Sequence, residues 1–235
     1  MKIKWMMMTA AMAATAAASA AILTSDDFSG TALKAQWTAA PAGANSPVIV
    51  ADGSVSTTVQ SPDGNNITTS VLSNTGYVLP VGDFAVQIDE SKTWSGGWYQ
   101  NCFFQVGIGS NTYLLGKCWM DGSTAMVYTN GFPAKMWDAK AVNMNFNTMG
   151  FKIARVGTTL TYSARGWDGL SWTTWTTIDT ATVAAGDATV AFGVQNSTNT
   201  SLGSNWDNFV VTVPEPASLA LLGLGALSLF RRRRQ

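Results

Sequence analysis

Residues 151–162 read Phe151-Lys152-Ile153-Ala154-Arg155-Val156-Gly157-Thr158-Thr159-Leu160-Thr161-Tyr162. Two runs rich in β-branched and aromatic residues meet at Gly157-Thr158, a short turn with the glycine that a tight hairpin needs. The second run continues to Arg165. Outward from this hairpin the same grammar repeats. Residues 84–88 (FAVQI) alternate, and residues 99–108 and 112–120 form a second hairpin around Gly109-Ser110-Asn111. Residues 172–178, 188–195 and 206–212 supply three more strands, with short β-like pieces at 48–51 and 55–59. No stretch of the body carries a 3.6-residue apolar period over three turns, and residues 134–141 are the one short helical candidate. Ten or more short strands with closely spaced turns predict an all-β, antiparallel two-sheet sandwich or barrel.

The combination of pieces is more specific than their number. Asp26-Asp27-Phe28, the 151–162 hairpin, the Asp168-Gly169 turn before Ser171-Trp172, and the closing Ala191-Phe192-Gly193-Val194 with Asp207-Asn208-Phe209-Val210-Val211 together resemble the concanavalin A-like lectin/glucanase superfamily, LamG-like jelly rolls included. The resemblance implies a jelly-roll sandwich over residues 21–212 whose first and last strands pair. That pairing would bring the two Asp-containing motifs together. An immunoglobulin-like sandwich is the alternative.

The cysteines test the second hairpin. Pairing around Ser110 places Cys102 opposite Cys118, Phe104 opposite Gly116 and Val106 opposite Leu114. Directly opposed, non-hydrogen-bonded residues have Cα atoms about 4.5 Å apart, within reach of a disulfide. The expectation is therefore a bridge, or else two buried thiols in contact. A register shift of one residue would put them on opposite faces and forbid the bridge.

Both ends of the chain read as targeting segments. Residues 1–20 have a signal peptide's order: Lys2 and Lys4, an apolar stretch, then Ala18-Ser19-Ala20, with cleavage between Ala20 and Ala21. At the other end stand Pro214-Glu215-Pro216, an uncharged run over 217–230 (ASLALLGLGALSLF), and four arginines at 231–234. The prolines cannot continue a strand. The fourteen residues of the run would span about 21 Å as a helix, short of the roughly 30 Å of bilayer hydrocarbon, and the arginines set the cytoplasmic side.

This order resembles the PEP-CTERM sorting signal of Gram-negative bacteria, here residues 213–235. The resemblance implies a single apolar C-terminal membrane helix in the precursor. It also implies an exosortase-type peptidase as partner, acting near Pro214-Glu215-Pro216, and delivery to the envelope, cell surface or extracellular matrix. An unprocessed tail anchor is the alternative.

Composition excludes several functions. The chain has 235 residues and zero formal net charge. The body at 21–213, however, holds eight Lys and Arg against thirteen Asp and Glu, a net charge of −5. A mildly acidic body without a basic patch argues against nucleic acid as partner. Histidine is absent, which removes the commonest general base and transition-metal ligand. The glutamates are Glu90 and Glu215 alone. The Glu-x-Asp-x-x-Glu strand that glucanases of the superfamily use is therefore missing, and Asp89-Glu90 falls on opposite faces of a strand. The expectation is a protein that is not an enzyme.

Nine tryptophans lie in the body. Sugar C–H faces stack on flat aromatic rings, so exposed tryptophan is a candidate glycan contact. Trp94 and Trp98 with Tyr99, in the loop-like Trp94-Ser95-Gly96-Gly97-Trp98-Tyr99, and Trp119 are the candidates. Trp37, Trp172 and Trp206 sit in strand motifs and are expected in the core. Asp26, Asp27 and Asp207 would converge where the first and last strands meet, and the superfamily resemblance implies a candidate structural calcium there. Ordinary turn aspartates are the alternative. Three functions follow: binding or organising a surface polysaccharide, a structural matrix role without sugar binding, and a hydrolase of unfamiliar arrangement.

Overall fold

The computed structural model describes residues 20–41, 48–51, 53–59, 68–75, 79, 82–92, 100–119, 125–129, 141–196 and 201–214. In chain order the strands are β1 (Ala20–Asp26), β2 (Trp37–Pro41), β3 (Val48–Ala51), β4 (Ser54–Val59), β5 (Thr68–Asn74), β6 (Phe84–Ser91), β7 (Gln100–Ile108) and β8 (Asn111–Trp119). They continue as β9 (Ala125–Thr129), β10 (Ala141–Asn143), β11 (Thr148–Val156), β12 (Thr159–Gly166), β13 (Thr176–Thr182), β14 (Ala188–Asn196) and β15 (Leu202–Pro214). One sheet runs β13-β12-β11-β6-β15-β4-β3, with β1 also on β15. The other runs β10-β9-β8-β7-β14-β5-β2. The result is an all-β, antiparallel two-sheet jelly roll in which the first and last strands pair, as the resemblance implied. Ile22–Val213 form one compact unit; of the other, Met1–Ala21 with Pro214–Gln235, only Ala20, Ala21 and Pro214 are among the described residues. The expected C-terminal helix and most of the 134–141 segment lie outside them.

Alternation sets the two layers. In β6, Phe84, Val86, Ile88 and Glu90 are buried while Ala85, Gln87 and Asp89 are half-buried, so one face meets the other sheet and one faces outward. An aromatic chain fills the space between: Trp37 lies 5.5 Å from Phe28, 5.0 Å from Phe209 and 5.3 Å from Phe192, and Phe192 lies 5.0 Å from Trp206. The two buried indole N–H groups are satisfied, Trp37 Nε1 donating to Asp26 Oδ2 at 2.8 Å and Trp206 Nε1 to Thr57 Oγ1 at 2.8 Å. Both tryptophans are core residues, as expected. Trp172 is not: it is half-buried, and the predicted strand at 172–178 begins at Thr176.

The 151–165 hairpin has the expected turn, with Val156 opposite Thr159 and Gly157 at φ +59°. The second hairpin departs from expectation by one residue. Ile108 pairs with Asn111, so the turn is Gly109-Ser110, with Gly109 at φ +60°. A two-residue turn with glycine in the first position follows the right-handed twist of its strands. Cys102 therefore faces Lys117, and Cys118 faces Asn101. The two cysteines lie on opposite faces of the sheet, so the expected Cys102–Cys118 disulfide is corrected: neither residue is bridged. Cys102 belongs to the core between the sheets. Burial pushes both thiols up to about 12. A thiol reagent at pH 8 should label neither cysteine in the native protein and both in guanidinium, and rapid native labelling of either would contradict this burial.

The same shift puts Lys117 in the interior. Its ammonium lies 3.5 Å from Glu90 Oε2, both side chains are fully buried, and the pair joins β8 of one sheet to β6 of the other. Lys117 Nζ also donates to the Phe146 carbonyl at 2.6 Å and the Asn147 carbonyl at 3.3 Å, and Ser204 Oγ donates to Glu90 Oε1.

Candidate functional site

The outward face of β12, β11, β6 and β15 carries rows of polar side chains. Register fixes the first row: Arg165 opposes Gly150, Gly150 opposes Asp89, and Asp89 opposes Asp207. A neighbouring row runs Thr148, Ser91, Asn205 and Ser56, in which Thr148 Oγ1 donates to Ser91 Oγ at 3.3 Å and Ser56 Oγ donates to Asn205 Oδ1. Gly150 is needed where it stands. A Cβ there would meet Arg165 Nε at 2.7 Å and Asp89 Oδ1 at 3.0 Å. With no side chain in the way, Arg165 lies across β11 and its Nη2 reaches Asp89 Oδ1 at 3.4 Å.

Three tryptophans border this face. Trp167 and Trp172 form an isolated β-bridge, their rings edge-on at 5.5 Å. The loop between them is held by Asp168, whose Oδ1 accepts from the Leu170 and Ser171 amides at 2.8 Å each, and those bonds hold its pKa below the ordinary carboxylate value. The Arg165 guanidinium lies 4.2 Å from the Trp172 ring and 4.6 Å from the Trp175 ring, and Lys152 Nζ lies 4.4 Å over Trp175.

Trp172, Asp89, Thr148, Asn205, Asp207 and Asn208 line a groove of about 280 Å³. A second cavity of about 570 Å³, lined by Asn145, Asn147, Thr148, Trp167 and Asp168, shares Thr148 with it. Burial raises the pKa of Asp89 against the lowering effect of Arg165. It raises Asp207 as well, against the Asn208 amide, and the Asp27 charge adds to the rise. Such a groove can stack a ring on an indole edge and hydrogen-bond hydroxyls through carboxylates, amides and a threonine.

The expected sites fare differently. Trp94, Trp98, Tyr99, Glu215 and Pro216 lie outside the described residues. Trp119 ends β8, paired with Gln100, in the opposite sheet from this groove. Pro214 is the last residue of β15, and Ala20 and Ala21 open β1. The Asp27 charge contributes to the raised pKa of Asp207, after burial. Asp26 is engaged within the fold: Oδ1 accepts from Lys34 Nζ at 2.7 Å and the Phe28 amide at 2.9 Å, and Oδ2 accepts from Trp37 Nε1 at 2.8 Å. These bonds anchor the β1–β2 connection. Among the described residues, no three His, Cys, Asp or Glu side chains gather as metal ligands.

The sequence reading missed Lys152, Arg165, Trp172 and Trp175 as a group. One signal was available, because the 151–165 hairpin register already places Lys152 and Arg165 on one face.

Comparison with known proteins agrees with this architecture. The chain is similar to the CBM2 module of the evolved Dit of Lactobacillus casei BL23 phage J-1, at 12% identity over 84% of this chain and 97% of that one, TM-score 0.58. It is similar to the endo-β-1,3-glucanase of Pyrococcus furiosus, at 12% identity over 83% and 95%, TM-score 0.57. Lectin II of Ulex europaeus matches at 10% identity over 80% and 97%, TM-score 0.51. The fold is the concanavalin A-like jelly roll of lectins and glucanases. No curated protein matches the chain. The family model of the PEP-CTERM protein-sorting motif matches residues 212–234, so the chain carries that motif and is an exported, membrane-anchored precursor processed for the cell surface.

Proposed function

We propose that this chain is a non-catalytic glycan-binding module. An exosortase-type peptidase processes its Pro214-Glu215-Pro216 region, and at the surface the module holds or organises polysaccharide. The observation that carries the reading is Trp172 at the wall of a groove otherwise lined by Asp89, Thr148, Asn205, Asp207 and Asn208. An aromatic ring beside hydroxyl-binding side chains is what a sugar needs. The jelly-roll neighbours, lectin and glucanase alike, support the class but not the ligand.

The test is polysaccharide-array binding by the full chain, with and without calcium. Trp172→Ala should weaken binding about tenfold or more, equivalent to ~1.4 kcal/mol. Trp94→Ala and Trp98→Ala run alongside, because the earlier candidates deserve the same trial. A folded chain that binds no glycan leaves the structural matrix role. Dependence on calcium would point to Asp27 and Asp207.

A hydrolytic reading has one observation of its own. Asp89 and Asp207 are directly opposed in the groove, and both have raised pKa values; hydrolysis needs two carboxyls across one bond. Shortening of a bound polysaccharide, lost in Asp89→Asn, would establish it. Recovery of that polysaccharide at full length would exclude it.

A further inference from the structure

The groove is acidic at one end, but the tryptophan end carries two cations. Lys152 on β11 and Arg165 on β12 point to the same side of the sheet and share the Trp175 ring, at 4.4 Å and 4.6 Å. Like charges gathered over one indole repel. Lys152 shows the effect: burial, and after it the Arg165 charge, holds its pKa below the ordinary lysine value. A lysine serving only solubility would extend into water, since a cation–π contact at an exposed site is worth only about 0.5–1 kcal/mol.

Neutralisation from within the fold is incomplete. Asp89 meets Arg165 through a single contact at 3.4 Å, and among the described residues no carboxylate is ion-paired with Lys152. Arg165 Nε is buried over Gly150 without a hydrogen-bond partner. The Trp172 ring stacked by Arg165 is also the ring that walls the groove. A sugar stacked at Trp172 would therefore carry its ring substituents to the guanidinium and on to Lys152.

We infer that the glycan bound here is anionic, and that Lys152 and Arg165, presented by Trp172 and Trp175, take its carboxylate or sulfate groups. The inference rests on the glycan-binding reading above and deepens it to a ligand class. A guanidinium fork matches the paired oxygens of either anion, and the lysine adds a point charge. Partial burial against two indoles, Trp172 and Trp175, strengthens both attractions relative to open water.

The experiment compares full chain binding to alginate, a carboxylated glycan, with binding to carboxyl-reduced alginate, and binding to dextran sulfate with binding to dextran. Each charged polymer differs from its neutral partner chiefly in charge. At least one should bind about tenfold tighter than its partner at low salt, and the preference should shrink between about 50 and 500 mM salt as the screening length falls. Preference for alginate alone assigns a carboxylate, and for dextran sulfate alone a sulfate ester.

Lys152→Gln should cut the preference about threefold or more. Lys34→Gln, the same change in net charge at a side chain paired with Asp26 and outside the groove lining, should not. Equal binding of charged and neutral partners, or equal effects of the two lysine variants, overturns the anionic inference and leaves glycan binding standing. Binding to none of the four polymers, nor to any glycan on the array, defeats both readings.

Discussion

Lys117→Met should destabilise the protein by about 3–5 kcal/mol, the usual consequence of removing one partner from a fully buried ion pair. The Glu90 carboxylate lies between the sheets without solvent access. It is held by Ser204 Oγ and by the Lys117 ammonium, which also satisfies the carbonyls of Phe146 and Asn147. Methionine fills the volume but strands a charge and two carbonyls at once. The companion variant separates charge from packing. Glu90→Leu combined with Lys117→Met removes both charges, and isosteric apolar replacement of buried pairs is often near neutral. The double variant should regain at least half of the loss. Urea titration gives both numbers, with an unchanged slope showing that the unfolded state is not the cause. A single-variant cost below about 1 kcal/mol would mean that the pair is hydrated and the sandwich open at this end.

Gly193→Ala should cost about 3 kcal/mol or more, at the upper end of overpacking effects, because the obstacle is backbone. Gly193 sits in β14 between β7 and β5, opposite Phe103 on one side and Val71 on the other. A methyl there would lie 2.0 Å from the Ser70 carbonyl oxygen and 3.0 Å from Val71 Cα. No rotamer change relieves such a contact; β5 must move away and weaken its ladder with β14. The melting temperature should fall by about 6–12 °C. Gly203→Ala is the control, since its nearest neighbour is the Thr58 hydroxyl at 3.4 Å, and it should change stability by less than about 1 kcal/mol. If the two alanine variants melt together, β5 yields more readily than its two-sided pairing implies.

Much of the fold was legible in the residues themselves. The alternation of residues 84–88 set which side chains of β6 face inward, and Gly157-Thr158 set the β11–β12 register. The buried places of Trp37 and Trp206 followed from their strand motifs. The pairing of β1 with β15 came from resemblance, and the matched motif at 212–234 was readable because it is local: prolines, an apolar run and arginines in order. What remained hidden depended on one residue of register or on distant partners. The alternation around Gly109 tolerates a two- or a three-residue turn, and only the assembled hairpin chose the former, separating Cys102 from Cys118 and turning Lys117 inward to Glu90. The cluster of Arg165, Trp172, Trp175 and Lys152 arises because a bridge folds the 167–172 loop back over β11 and β12. Local pattern encodes which face a side chain takes. Which neighbour it finds there is set by pairings between strands far apart in the chain, and those exist only once the sheets have formed.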